Sequence, residues 1–295
     1  MTKPSVSIII VHYNSDTFTR ECLDSLKALN EKYCQFQIVV VDNHSTEVFA
    51  YDEKDLPITI LRTEENLGFT GGNNLGIAHA FEHHKSDFIL LLNSDTIVSP
   101  DFLDILIRYA HTHKKVGVVS PKIYFEKGYE FHKKEYGNQE RGKVIWFAGG
   151  SIDWKNVYGF HRGVDEVDRG QFNLEEIHRT PSEMPYYGYQ TMDFASGCCV
   201  LIPSEILKEV GLFDDSYFLY WEDTDLSVRI SKAGYTLYFC PEAVIWHKNA
   251  GSSGGSGSPL QREYLRKNRL KFALKYAPFR SKLAVLKEYW LPSSS

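Results

Sequence analysis

Two adjacent carboxylates, Glu222 and Asp223, follow the aromatic run Tyr217-Phe218-Leu219-Tyr220-Trp221 and open a segment of helical periodicity. A carboxylate fixed at a helix start beside aromatic side chains is placed to take a proton from a substrate hydroxyl, which makes Asp223 a candidate general base and Glu222 its companion. Tyr220 and Trp221 are candidates for the wall of an acceptor or sugar pocket. The plainer reading is that acids at a helix start complement its dipole. Asp225 and Arg229 stand four residues apart and can pair, holding the same turn rigid. A second cluster, Asn93-Ser94-Asp95, follows the apolar run Phe88–Leu92. A carboxylate at such an edge suits a hard divalent cation, Mg2+ or Mn2+, shared with phosphate oxygens. Here the plainer reading is a helix start, with Thr96 or Ser99 capping a helix whose first turn holds Pro100. His247 follows the apolar residues 243–246 and precedes a Gly/Ser segment at 251–258, so it could join a metal or phosphate site that closes over a ligand.

These residues need elements to carry them. Residues 6–11, 37–41, 58–61, 88–92 and 116–120 read as strands, the first two as β-branched runs buried on both faces. Residues 17–29, 73–84 and 100–111 read as helices between them, so this half is a parallel sheet covered by helices. From 126 to 190 the rhythm breaks into hairpins and loops, with a short strand at 144–147. Helices return at 204–210 and 224–233, with a strand at 236–240 and one or two helices over 260–290.

Ligands of an open parallel sheet bind beyond the carboxyl ends of its strands. Three such ends carry polar clusters: His12-Tyr13-Asn14, Asp42-Asn43-His44-Ser45 and Asn93-Ser94-Asp95. Asp42 could accept from a ribose hydroxyl or a base N–H, or it could simply start a turn. The Gly-rich stretch from Asn66 to Gly76 contains Gly68, Gly72 and Asn73 and could bring backbone N–H groups to a diphosphate. It matches neither the Walker loop nor the dinucleotide fingerprint. His12, Tyr13, Asn14, Asp42, Asn43, Asn66, Gly68, Gly72, Asn73, Asn93 and Ser94 form the candidate nucleotide-binding set.

With 295 residues, 43% hydrophobic and 24% charged, the chain suits one large α/β domain with appended pieces. A net charge of −5 argues against nucleic acid as a partner. The charge is uneven: residues 259–295 hold nine Lys/Arg against Glu263 and Glu288, a balance of +7 that leaves −12 on residues 1–258. We therefore divide the chain into a body, 1–258, and a basic amphipathic tail, 259–295. Phe279, Leu283, Leu286 and Trp290 share one helical face of that tail, which could meet an anionic membrane, pack on the body, or join a second subunit. The five cysteines show neither metal-ligand spacing nor a disulfide framework. No signal peptide or membrane-length apolar run is visible, and the expected location is cytoplasmic, with peripheral contact at the inner membrane face.

Taken together, residues 7–14, 39–45, 66–76, 90–96, 193–199 and 211–229 resemble the family-2 glycosyltransferases, which have the nucleotide-binding GT-A fold. The run Val210-Gly211-Leu212-Phe213-Asp214-Asp215-Ser216, continuing to Arg229, is similar to the rhamnosyltransferase-like branch, as are residues 148–153 and 161–163. The resemblance implies an inverting, metal-dependent transfer from a nucleotide diphosphate sugar to a saccharide or lipid-linked acceptor in surface polysaccharide synthesis. It implies that Asp42 contacts the base, Asp95 is the metal carboxylate of the DxD motif, Asp223 is the catalytic base and His247 a further metal ligand. Asn93 stands where that motif has its first carboxylate. dTDP-rhamnose is the first expectation for the donor and a UDP-hexose the second. A sugar-1-phosphate nucleotidyltransferase should carry a basic Gly-rich loop after the first strand, where this chain has His12-Tyr13-Asn14-Ser15-Asp16. A non-catalytic carbohydrate-binding protein would not need Asp95, Glu222, Asp223 and His247 together.

Overall fold

A computed structural model describes residues 3–52, 54, 56–173, 190–249 and 257–290. Strands β1 (Ser5–His12), β2 (Gln35–Asp42), β3 (Ile58–Arg62) and β4 (Phe88–Leu92) lie parallel in the order β3-β2-β1-β4. Every residue of β4 is buried, so that both faces of the sheet are covered. Helix α1 (Asp16–Leu26) buries Thr19, Cys22, Leu23 and Leu26, the stripe that its spacing sets. All five cysteines are buried thiols.

Beyond β4 the sheet becomes mixed. β10 (Cys199–Pro203) runs antiparallel to both β4 and β6 (Val116–Phe125), and β11 (Thr236–His247) runs parallel to β6. β5 (Thr96–Val98) closes this edge antiparallel to β11, with Thr96 opposite His247. Periodicity does not mark β10 or β5: one runs straight into α4 (Ser204–Val210) and the other is three residues long.

Two helices start elsewhere than the sequence suggests. α3 spans Phe102–Thr112 behind Asp101, so Pro100 precedes the helix and neither Thr96 nor Ser99 caps it with a side chain. Thr96 is a strand residue whose hydroxyl donates to the Asn93 carbonyl (2.8 Å). α2 spans Gly68–His79 and runs into a π turn at Ala80–His84, so the Gly-rich stretch lies within the helix rather than before it. Packing explains this. A Cβ at Gly76 would stand 2.5 Å from Ile9 Cγ2, and one at Gly72 would stand 2.9 Å from Val11 Cγ1. The glycines let α2 lie directly on β1.

The hairpin expectation is met by β7 (Ile145–Phe147), paired with β6, and by the ribbon of β8 (Gly150–Asp153) and β9 (Tyr158–His161). A buried pair, Lys122 to Asp168 at 2.7 Å, ties this insertion to β6. Residues 174–189 of the insertion, and most of the Gly/Ser segment 251–258, lie outside the described residues. The tail forms α6 (Pro259–Tyr276) and α7 (Phe279–Trp290). Pro278 separates them, because it lacks the N–H that would continue the helix. Helix α5 (Glu222–Lys232) carries the two carboxylates. Among the described residues no helix is long and apolar enough to cross a membrane.

Candidate functional site

A cavity of about 780 Å³ opens at the carboxyl ends of β1, β2 and β4. Its lining brings together Tyr13, Asn43, Asn66, Gly68, Asn93, Ser94, Asp95, Tyr220, Glu222, Asp223 and His247. His12, Asn14, Asp42, Gly72, Asn73 and Trp221 stand outside that lining and support it.

The antiparallel pairing of β5 with β11 brings Asp95 and His247 together from distant parts of the chain. Nε2 of His247 lies 3.0 Å from Oδ1 of Asp95, and the backbone N–H of Lys248 donates to the Asp95 carbonyl (3.0 Å). Both side chains are buried. Nδ1 of His247 has no hydrogen-bond partner among the described residues. An octahedral ion with ligand distances near 2.1 Å separates neighbouring ligand atoms by about 3.0 Å, so this pair fits two adjacent positions of a hard divalent cation. Among the described residues no third His, Cys, Asp or Glu joins it.

Asp223 is set by local backbone and by a loop across the cavity. Its Oδ2 accepts the Gly197 N–H (3.0 Å), and its Oδ1 accepts the N–H (2.6 Å) and hydroxyl (3.1 Å) of Thr224. Burial pushes its carboxyl above the ordinary value of 3.8, against the pull of those three donors. Burial pushes Glu222 well above its ordinary range, with Asp223 beside it adding to the effect. Oε2 of Glu222 is buried without a hydrogen-bond partner among the described residues. Cys198, on the cavity wall, feels both Asp95 and Asp223, and its thiol is raised well above the ordinary range by burial first and by those charges second.

The approach to α5 is unusual. Tyr220 and Trp221 both adopt left-handed backbone, with φ of 67° and 75°. For residues with bulky side chains this conformation is strained and persists only where its surroundings impose it. α6 supplies that constraint. The Asn268 side-chain amide donates to the carbonyls of Leu219 (2.8 Å) and Tyr220 (3.0 Å), and Phe272 packs on Trp221 with ring centroids 4.8 Å apart. Asp225 pairs with Arg229 at 2.9 Å, as its spacing predicts, and also accepts from Lys275 and Tyr276, each at 2.9 Å. The tail and the turn into α5 are packed together.

The nucleotide-side candidates divide into those that line the cavity and those beside or behind it. Asn43 organises the wall: its Nδ2 donates to Asn66 Oδ1 (3.1 Å) and the Gly68 carbonyl (2.9 Å), while its Oδ1 accepts the Leu67 N–H (2.9 Å). Gly68 sits at φ 71°, where a Cβ would stand 2.4 Å from the Phe218 carbonyl oxygen, so only glycine fits. Asp42 is fully buried, and its carboxylate accepts from the N–H groups of Ser45 (3.0 Å) and Phe49 (3.1 Å) and from Arg62. Burial pushes this carboxyl up, but those amides and the guanidinium outweigh it and hold it below the usual range. The turn that the sequence left open is therefore present. His12 bonds Thr19 (2.8 Å) and stacks near Phe49, and burial lowers its pKa. Asn14 accepts the Thr46 N–H (2.8 Å), and Asn73 donates to the Phe69 carbonyl (2.8 Å).

Sequence reasoning missed the opposite wall. Phe131, Trp146 and His161 come from the insertion, where the sequence offers a short strand at 144–147 and a motif at 161–163 but nothing that assigns these rings to a site. The rings of His161 and His247 each lie 4.5 Å from Trp146. His161 Nδ1 donates to the Trp146 carbonyl (3.1 Å), and burial lowers its pKa to about 4, so the ring is neutral with Nε2 as an acceptor.

The family described as "Glycosyltransferase like family 2" matches residues 4–265. The chain belongs to that family. This glycosyltransferase is 26% identical over 260 residues to the N-acetylglucosaminyl-diphospho-decaprenol L-rhamnosyltransferase of Mycobacterium tuberculosis (strain ATCC 25618 / H37Rv), covering 84% of this chain and 77% of the relative. It is 25% identical over 239 residues to the rhamnosyltransferase WbbL of Escherichia coli (strain K12), covering 80% of each. Among solved structures it resembles GalNAc-T7 with UDP, GalNAc and Mn2+, at a TM-score of 0.62 and 18% identity over 90% of this chain and 47% of that one. It also resembles the mannosyltransferase PcManGT from Pyrobaculum calidifontis with GDP-Man and Mn2+, at a TM-score of 0.56 and 16% identity over 99% of this chain and 71% of that one. The glycosyltransferase therefore has the GT-A fold and is rhamnosyltransferase-like.

Proposed function

We propose that this glycosyltransferase moves rhamnose from dTDP-rhamnose to a saccharide carried on a lipid, with inversion at the anomeric carbon. The observation that carries the reading is the convergence of Asp223 and the Asp95–His247 pair on one cavity. The rhamnosyltransferase names of the relatives support the sugar, and the diphospho-decaprenol in one of those names supports the acceptor class.

In this reading the acceptor hydroxyl meets Asp223, whose raised pKa makes it a stronger base than an exposed carboxylate. Gly197 and Thr224 fix the carboxylate so that one lone pair faces the acceptor. The deprotonated oxygen attacks the face of the sugar opposite the diphosphate, which inverts the configuration. Burial and the neighbouring Asp223 both favour the protonated form of Glu222, which leaves Asp223 as the base of that pair and Glu222 as a donor to a sugar hydroxyl. Asp95 and His247 would hold Mg2+ or Mn2+, whose charge favours departure of the diphosphate. Tyr13, Asn43, Asn66, Gly68, Asn93 and Ser94 line the donor side, with His12, Asn14, Asp42, Gly72 and Asn73 bracing it. Tyr220 faces the sugar, and Trp221 anchors the turn. Residues 1–258 form the transferase body and 259–295 its tail, and the enzyme works as a peripheral protein on the cytoplasmic face of the membrane.

The test is a panel of nucleotide diphosphate sugars scored by thermal stabilisation and by nucleotide release with a rhamnose-accepting lipid-linked saccharide. dTDP-rhamnose should give both signals. Stabilisation and turnover by a UDP-hexose alone would overturn the donor assignment.

A further inference from the structure

The outer face of α7 plays no part in the cavity. Phe279 is 74% exposed, Leu283 50%, Leu286 37% and Trp290 72%. Spacings of four, three and four place them in one narrow stripe. Ser281 and Val285, on the opposite side, are the buried residues of this helix. α7 is thus an amphipathic helix packed with its larger apolar side outward. It is tied to α6 by Arg269 with Glu288 (2.7 Å) and by Arg266 donating to the Tyr289 carbonyl (3.1 Å). Around the helix, Arg280 and Lys287 flank the stripe on one side and Lys282 on the other; among the described residues none of the three pairs with an acid.

We infer that α7 docks the enzyme on an anionic membrane surface, with the stripe inserted at headgroup depth and the three cations on lipid phosphates. A surface helix with aromatic and leucine residues on one face and Lys/Arg beside them has the composition for that position. A second copy of the chain is the less suitable occupant. A two-fold contact through this stripe would bring like charges together, whereas an anionic surface neutralises them.

The geometry also connects the stripe to the cavity. Contacts 266 to 289 and 269 to 288 make α6 and α7 an antiparallel pair, which sets Trp290 at the end of α6 that lines the cavity through Leu260 and Gln261. Gln261 and Arg266 are about 8 Å apart along the helix axis. A lipid-carried acceptor would enter from the surface on which the stripe rests. The inference rests on the proposed lipid-carried acceptor for its purpose only.

Co-sedimentation of the full chain with vesicles tests it. With phosphatidylglycerol/phosphatidylethanolamine vesicles at low salt the chain should sediment, and with phosphatidylcholine vesicles it should stay in solution. Phe279→Ser with Trp290→Ser should lower partitioning by at least tenfold. Arg280→Gln with Lys282→Gln and Lys287→Gln should lower it on the order of a hundredfold. Both variants should keep wild-type turnover on a water-soluble acceptor. Failure of the full chain to bind anionic vesicles overturns the inference, as does binding that the double variant leaves unchanged. So does a wild-type dimer in sedimentation velocity that the double variant turns into monomer. Vesicle binding without rhamnosyl transfer to any acceptor would sink the proposed function and leave the docking surface standing.

Discussion

The side-chain amide of Asn268, on the tail helix α6, donates to the backbone carbonyl of Tyr220 at 3.0 Å, two residues before Glu222. The same amide holds the Leu219 carbonyl, so one buried side chain fixes a left-handed turn that its own residues disfavour. The position of Asp223 at the start of α5 depends on that turn.

Asn268→Ala removes both donors from buried carbonyls and should cost about 1–3 kcal/mol of stability. Turnover should fall further than stability alone explains, with donor affinity unchanged, because only the turn carrying Asp223 relaxes. Asn268→Asp keeps the shape without the donors and should show the same fall. Separate measurement of kcat and donor Kd checks this; wild-type kcat in both variants would reduce Asn268 to a packing residue.

The acid side of the pH–rate profile should lie above the ordinary carboxylate value of 3.8, since burial raises the Asp223 pKa. Lowering the pH through that raised value protonates the base, and activity should fall about tenfold per unit. Thr224→Val deletes a hydroxyl that stabilises the ionised form (3.1 Å) and should move the acid limb to still higher pH. A limb that stays fixed in Thr224→Val would assign it to another group.

Much of this was readable from the residues. The β-branched runs of β1 and β2 and the apolar β4 declare a covered parallel sheet, and their polar ends mark the edge where the cavity opens. Asp95, Asp223 and His247 were singled out by position in the chain, and the fold brings them to one cavity. What was not readable is antiparallel and non-local. β10 has no turn between itself and α4, and β5 is too short for periodicity to register. The Trp146–His161 wall arises from a segment without regular pattern. Pro100 has the residue type of a first-turn position, yet the Pro100 carbonyl accepts the Asn30 N–H (2.9 Å) and the helix starts two residues later. Asn268 gives no signal at all in the sequence, because its partners are backbone carbonyls of a distant loop.

Chelation with excess EDTA should stop transfer, and Mg2+ or Mn2+ should restore it. Calorimetric titration of the nucleotide diphosphate should show affinity strengthened by Mn2+ in the wild type. In Asp95→Ala that strengthening should drop by at least about tenfold, and His247→Ala should behave similarly. Full activity in EDTA would leave the Asp95–His247 pair as a structural tie between β5 and β11.

The central claim is that Asp223 takes the acceptor proton in a glycosyl transfer. Its most direct test is single-turnover transfer by Asp223→Asn on an acceptor that the wild-type enzyme glycosylates, with donor Kd measured on the same preparation. The carboxamide keeps the size of the side chain and an oxygen for the Gly197 N–H, but it cannot accept the proton. The rate should fall by about a hundredfold to ten-thousandfold, with donor Kd unchanged. Transfer at close to the wild-type rate would contradict the assignment and move the base elsewhere in the cavity.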